Sequence, residues 1–105
     1  MRLTIVYDNT TRRDDCGADW GFSCVVEAHG RRLLFDTGTK GELLLANMDA
    51  LEIQPASIDE VVISHEHFDH LGGLPAFLDR RGCLPVHLPR GCPKPDGEAG
   101  FSWVN

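Results

Sequence analysis

No stretch of this 105-residue chain is apolar for the roughly 20 consecutive residues that a membrane span requires, so no membrane partner is expected. Positive charge is scarce as well. Ten Lys and Arg stand against sixteen Asp and Glu, a formal net charge of −6. Such a chain lacks the basic face that a phosphate backbone needs, so nucleic acid is not an expected partner. The doublets Arg12-Arg13, Arg31-Arg32 and Arg80-Arg81 read as solvated loops or turns. Cysteine is sparse and badly spaced for a zinc knuckle, since Cys16, Cys24, Cys83 and Cys92 form no C-x-x-C pair. Small secreted scaffolds are denser in cysteine. Cys24 reads as a buried strand residue and the other three as loop thiols, with a Cys83–Cys92 bridge as the alternative. The N-terminus, Met1-Arg2-Leu3-Thr4-Ile5-Val6-Tyr7-Asp8, has neither the long apolar run nor the small-residue cleavage site of a signal peptide. A cytoplasmic location is the resulting expectation.

What is present fits one small globular domain: 42% of residues are hydrophobic and 25% charged. At this length the margin for a core is thin. Leu3 to Tyr7 is a β-rich run ended by the turn chemistry of Asp8-Asn9-Thr10, and residues 9–21 read as a surface loop. Phe22 to Ala28 and Arg32 to Phe35 flank His29-Gly30 as the arms of a hairpin, with His29 a turn residue. Lys40 to Leu51 carries Leu43, Leu44, Ala46, Met48 and Leu51 at helical spacing, Met48 as core filler. Ser57-Ile58-Asp59-Glu60 has the form of a capping box or a tight turn. Val61-Val62-Ile63 reads as a strand buried on both faces.

After the His-rich segment, Leu71 to Leu78 reads as a turn entering a short helix, with Pro75 near its start and Gly82 past its end. Pro85 to Leu88 is a further candidate strand. The resulting expectation is an α/β sheet with helices on one face and the other side open. Residues 1–88 form the folded unit, and the Pro- and Gly-rich residues 89–105 an irregular tail.

The chemistry concentrates in His65-Glu66-His67-Phe68-Asp69-His70. In an extended segment residues two apart share a side, which puts His65, His67 and Asp69 together, with His70 at the bend that follows. Imidazole and carboxylate are the expected ligands of Zn²⁺, Mn²⁺ and Fe. Three His and one Asp within six residues, at the mouth of a buried strand, therefore read as a metal site.

His65-x-His67-x-Asp69-His70, with Val61-Val62-Ile63-Ser64 before it and Leu71-Gly72-Gly73-Leu74 after it, resembles the signature of the metallo-β-lactamase superfamily. Leu33-Leu34-Phe35-Asp36-Thr37-Gly38 resembles that superfamily's strand ending in Asp-Thr-Gly. Val6-Tyr7-Asp8-Asn9 and Gly21-Phe22-Ser23 are similar to one branch of it, labelled 7,8-dihydropterin-6-methyl-4-(β-D-ribofuranosyl)-aminobenzene 5′-phosphate synthases. The resemblance covers about residues 2 to 88 and implies the N-terminal half of an αββα sandwich.

It further implies a metal-dependent hydrolase of small molecules. His65 and His67 would hold one divalent ion, Zn, Mn or Fe, and Asp69 and His70 a second. A hydroxide between the ions would be the nucleophile, with Asp69 the catalytic side chain. Asp36 is weighed equally as an orienter of ligands and as a turn cap. Glu66 and Phe68 occupy positions where the branch carries a small residue and Tyr, which alters the pocket but not the ligands.

In the superfamily the remaining ligands come from a second half. His87, Asp79 and Asp96 are the candidates past His70, and His87 reads as a strand residue. Two ligands per metal fall short of the three that a catalytic zinc normally has. The expectation is a chain inactive alone, as a truncated product, a fragment of a split gene, or half of an oligomer completed by a second copy or a partner chain. Its alternatives are a non-catalytic metal-binding remnant and a structural zinc site recruiting Cys83 or Cys92.

Overall fold

The computed structural model describes residues 1–91 and the backbone of Ser102–Val104. Six strands form one sheet in sequence order: β1 (Arg2–Tyr7), β2 (Ser23–Ala28), β3 (Arg31–Phe35), β4 (Glu60–Val62), β5 (Pro85–His87) and β6 (Ser102–Val104). β1, β2 and β3 are antiparallel neighbours, whereas β3 to β6 run parallel. The hairpin between β2 and β3 turns on His29 and Gly30, both at positive φ, as a two-residue turn between twisted strands demands. Parallel pairing requires crossovers. α1 (Gly41–Ala50) carries the chain from β3 to β4, and α2 (Phe68–Leu71) with α3 (Leu74–Arg81) carries it from β4 to β5.

The strand register explains the core. Val25 pairs with Leu34, Leu34 with Val61 and Val61 with Val86, one row across four strands, and all four are fully buried. They join Leu44 and Met48 of α1 and Leu74, Phe77 and Leu78 of α3 in a single cluster. Burying each such side chain contributes about 1.5–3 kcal/mol, so the helix-covered face dominates stability. On the neighbouring row Leu3 and Ile5 are 61% and 56% exposed, and Val26, Leu33, Phe35 and Val62 are only half-buried. The sheet thus has one covered face and one open apolar face, as the sequence pattern predicts.

Three expectations need correction. The tail is not irregular throughout: Ser102–Val104 pairs in parallel with β5, because Trp and Val suit a pleated strand. Residues 92–101 and 105, Cys92 and Asp96 among them, lie outside the described residues. Ser57 to Glu60 makes no capping box, for Pro55–Ser57 is a single 3₁₀ turn and Glu60 already starts β4. The His-rich segment is not extended through Asp69; it becomes helical at Phe68. No helix among the described residues is long and apolar enough to cross a membrane.

Candidate metal centre

The site forms where β3 and β4 end side by side. Asp36 follows β3 at φ +60°, a left-handed conformation that Asp tolerates better than most residues. Its amide donates to Val62 O at 2.8 Å, and Ser23 Oγ donates to its carbonyl at 2.6 Å, so both neighbouring strands hold its backbone. Its carboxylate, on a residue 1% exposed, accepts three hydrogen bonds. Ser64 N donates to Oδ1 at 2.7 Å, Ser64 Oγ to Oδ2 at 2.6 Å, and His70 Nδ1 to Oδ2 at 2.8 Å. A buried carboxylate is tolerated only when so satisfied. Of the two roles weighed for Asp36, the geometry matches the orienter.

The rest of Asp36-Thr37-Gly38 grips the same turn. Thr37 N and Oγ1 both donate to His70 O, at 2.8 and 3.0 Å, and Gly38 N donates to Phe22 O at 3.0 Å. Phe22 N in turn reaches Asp69 O at 3.3 Å. Gly21, at φ +125°, lies so close to Asp69 O that any Cβ there would overlap it. Within the turn, His67 O accepts from His70 N and Leu71 N, both at 2.9 Å, which starts α2.

The four residues singled out from the sequence are neighbours in the turn, but only His65 and His70 of them share a ligand group. The His65 ring centroid is 4.2 Å from that of His70 and 4.6 Å from that of His67, the latter pair edge-on. Asp69 Oδ2 is 3.6 Å from His70 Nε2. Among the described residues, the ligand atoms that fall together within 4.8 Å belong to Asp36, His65 and His70. His67 and Asp69 border that group without joining it. Asp36 is a poor direct ligand despite its place there, because both of its oxygens are already engaged. Cys83 is exposed and outside the group, so nothing among the described residues supports a Cys-ligated site. His87 is a strand residue, its Nε2 2.9 Å from Glu60 Oε1. Glu66 and Phe68 point into solvent, Phe68 being 67% exposed.

Two residues carry roles that the sequence pattern does not mark. Ser64, whose only signal is a hydroxyl next to His65, donates to Asp36. The other is Asn47. Buried in α1, it accepts from Gly17 N at 2.8 Å and donates to Val6 O and Gly17 O at 2.9 and 3.0 Å, fixing the loop that leads to Gly21.

The family model described as the metallo-beta-lactamase superfamily matches residues 18–104. A 7,8-dihydropterin-6-methyl-4-(beta-D-ribofuranosyl)-aminobenzene-5′-phosphate synthase of Methanocaldococcus jannaschii is 53% identical over 55 residues, 50% of this chain and 19% of that protein. Cleavage and polyadenylation specificity factor subunit 3-I of Arabidopsis thaliana is 41% identical over 69 residues, 61% of this chain and 10% of that protein. The chain therefore spans a fifth or less of the length of these two relatives. Among solved structures, a metallo-beta-lactamase from Novosphingobium pentaromativorans superposes with a TM-score of 0.54 and 29% identity, over 63% of this chain and 24% of that one. Another metallo-beta-lactamase, crystallised with mercaptoacetic acid, superposes over all of this chain and 47% of its own, with a TM-score of 0.63 and 20% identity. That likeness shows the fold.

Proposed function

The chain belongs to the metallo-beta-lactamase superfamily, and from that premise we propose that it is the metal-binding half of a metal-dependent hydrolase. One observation carries the reading: three imidazoles and the Asp69 carboxylate crowd the end of β4, with ring centroids 4.2 and 4.6 Å apart. Such a donor set fits divalent zinc, manganese or iron. His65 and His67 would hold one ion, and Asp69 and His70 a second. When bound, the ions supply Lewis acidity and acidify a water. The protein's own part is to orient donors. Asp36 fixes the His70 ring, and a carboxylate oxygen of Asp69 would accept a hydrogen bond from a water at the site, the role assigned to the catalytic side chain.

The substrate we infer is a small molecule. The net charge of −6 disfavours a polyanion. The 53% identity over 55 residues supports a compound of the dihydropterin ribofuranosyl-aminobenzene phosphate kind. The remaining ligands would come from a second half packed on the open face of Leu3, Ile5, Leu33 and Phe35. A cytoplasmic setting accords with this reading.

A non-catalytic metal-binding half-domain is the second reading, favoured by the supply of two ligands per ion. Metal content after dialysis and turnover of a phosphodiester and a lactam discriminate. Turnover supports the hydrolase, and metal uptake without turnover by a verified monomer supports the second reading. A chain that takes up no metal sinks both.

A further inference from the structure

We propose that the Ser64 hydroxyl is a positioning residue that sets the tautomer of His65, so that a single buried carboxylate orients two histidines at once. The inference rests on the metal-site reading for its purpose, but its geometry stands independently.

The Asp36 carboxylate takes the Ser64 amide proton at Oδ1 and has no proton of its own to give. The 2.6 Å contact between Ser64 Oγ and Asp36 Oδ2 therefore uses the one hydroxyl proton of Ser64. Ser64 Oγ also lies 2.8 Å from His65 Nδ1. With its proton spent, Oγ can only accept there, so Nδ1 of His65 carries the hydrogen. His70 Nδ1, 2.8 Å from the same Oδ2, must carry its hydrogen for the same reason.

Both rings are then held in the Nδ1–H form, and Nε2 of each keeps its lone pair for a cation. Neutral imidazole otherwise favours hydrogen on Nε2, the arrangement that would block that lone pair. His70 reaches Asp36 directly. His65, on the strand exit, reaches it only through Ser64, which explains a hydroxyl residue at that position.

The test uses the metal-free, ¹⁵N-labelled chain at a pH where its histidines are neutral, with long-range nitrogen–proton NMR reporting which ring nitrogen is protonated. The wild type is expected to show Nδ1–H on both His65 and His70. Ser64→Ala should return His65 to the Nε2–H form and leave His70 unchanged, while Ser64→Thr keeps the wild-type pattern. Methyl signals of Val25 and Leu34 report that the core is intact. Competition titration with Zn²⁺ should show Ser64→Ala weakened by about 10- to 100-fold and Ser64→Thr restored to near wild type. Nε2–H on His65 in the wild type, or an unchanged His65 tautomer in Ser64→Ala, would overturn the proposal. A wild type that binds no Zn²⁺ but shows the expected tautomers would fail the metal reading and leave Ser64's role established.

Discussion

Asp36 Oδ2 lies 2.8 Å from His70 Nδ1, a contact that ties the end of β3 to the turn of α2 beneath the clustered imidazoles. The carboxylate is almost wholly buried and holds two further hydrogen bonds from Ser64. Removing a charged acceptor leaves its donors unmatched and costs about 1.5–3 kcal/mol. Asp36→Ala should lose that much in urea denaturation of the metal-free chain. Asp36→Asn keeps an acceptor and should lose less. A loss below about 1 kcal/mol for Asp36→Ala would mean that the network is not a structural anchor.

Gly21 and Gly30 make a paired test of the close approach behind Asp69. Both sit at positive φ, but a Cβ at Gly21 would overlap Asp69 O, whereas nothing lies within 4 Å of one at Gly30. Gly21→Ala should cost about 1–3 kcal/mol, and Gly30→Ala about 1 kcal/mol or less, by thermal unfolding. Equal losses at the two positions would remove the case for contact at Asp69.

Asn47→Ala deletes three hydrogen bonds in the interior of the loop-to-helix junction. The expected cost is about 1–3 kcal/mol, and amide exchange should quicken at Gly17. Retained protection at Gly17 would show that the loop is held by other contacts.

Much of this was legible in the chain. The β-rich and apolar runs of β1 to β3, the His29-Gly30 turn and the apolar spacing of α1 are local signals, and each element lies within about two residues of its expected place. The candidate donors His65, His67, Asp69 and His70 were legible because they are packed into six residues. The path of the turn was not. Phe68 to Leu71 closes into a helix because His67 O captures two amides and Thr37 holds His70 O, and the second of these is a tertiary contact invisible to spacing. Asn47 and Ser64 escaped for a similar reason, since their partners lie on other segments. β6 was masked by the Pro and Gly around it.

On the open face, the Glu60 carboxyl is held below its ordinary range, chiefly by its hydrogen bond from Arg31 at 2.8 Å and further by Arg31's charge and His87, with partial burial opposing. A depressed carboxyl stabilises the fold above its unfolded value, and that stability is lost as pH falls through the folded value. Arg31 is 60% exposed, so screening keeps the contribution of the pair small. Glu60→Gln should therefore lower stability at pH 7 and have less effect at pH 3, by denaturation at each pH. A penalty that grows towards pH 3 would contradict the assigned direction.

If the turn after β4 holds a cation, as proposed, calorimetric titration of the purified chain with Zn²⁺ and Mn²⁺ will register the binding. His65→Ala and His70→Ala should each weaken binding by about tenfold or more. His29→Ala, in the remote hairpin turn, should leave it unchanged. Equal binding by all three variants and the wild type would contradict the account, because uptake would then owe nothing to the clustered imidazoles.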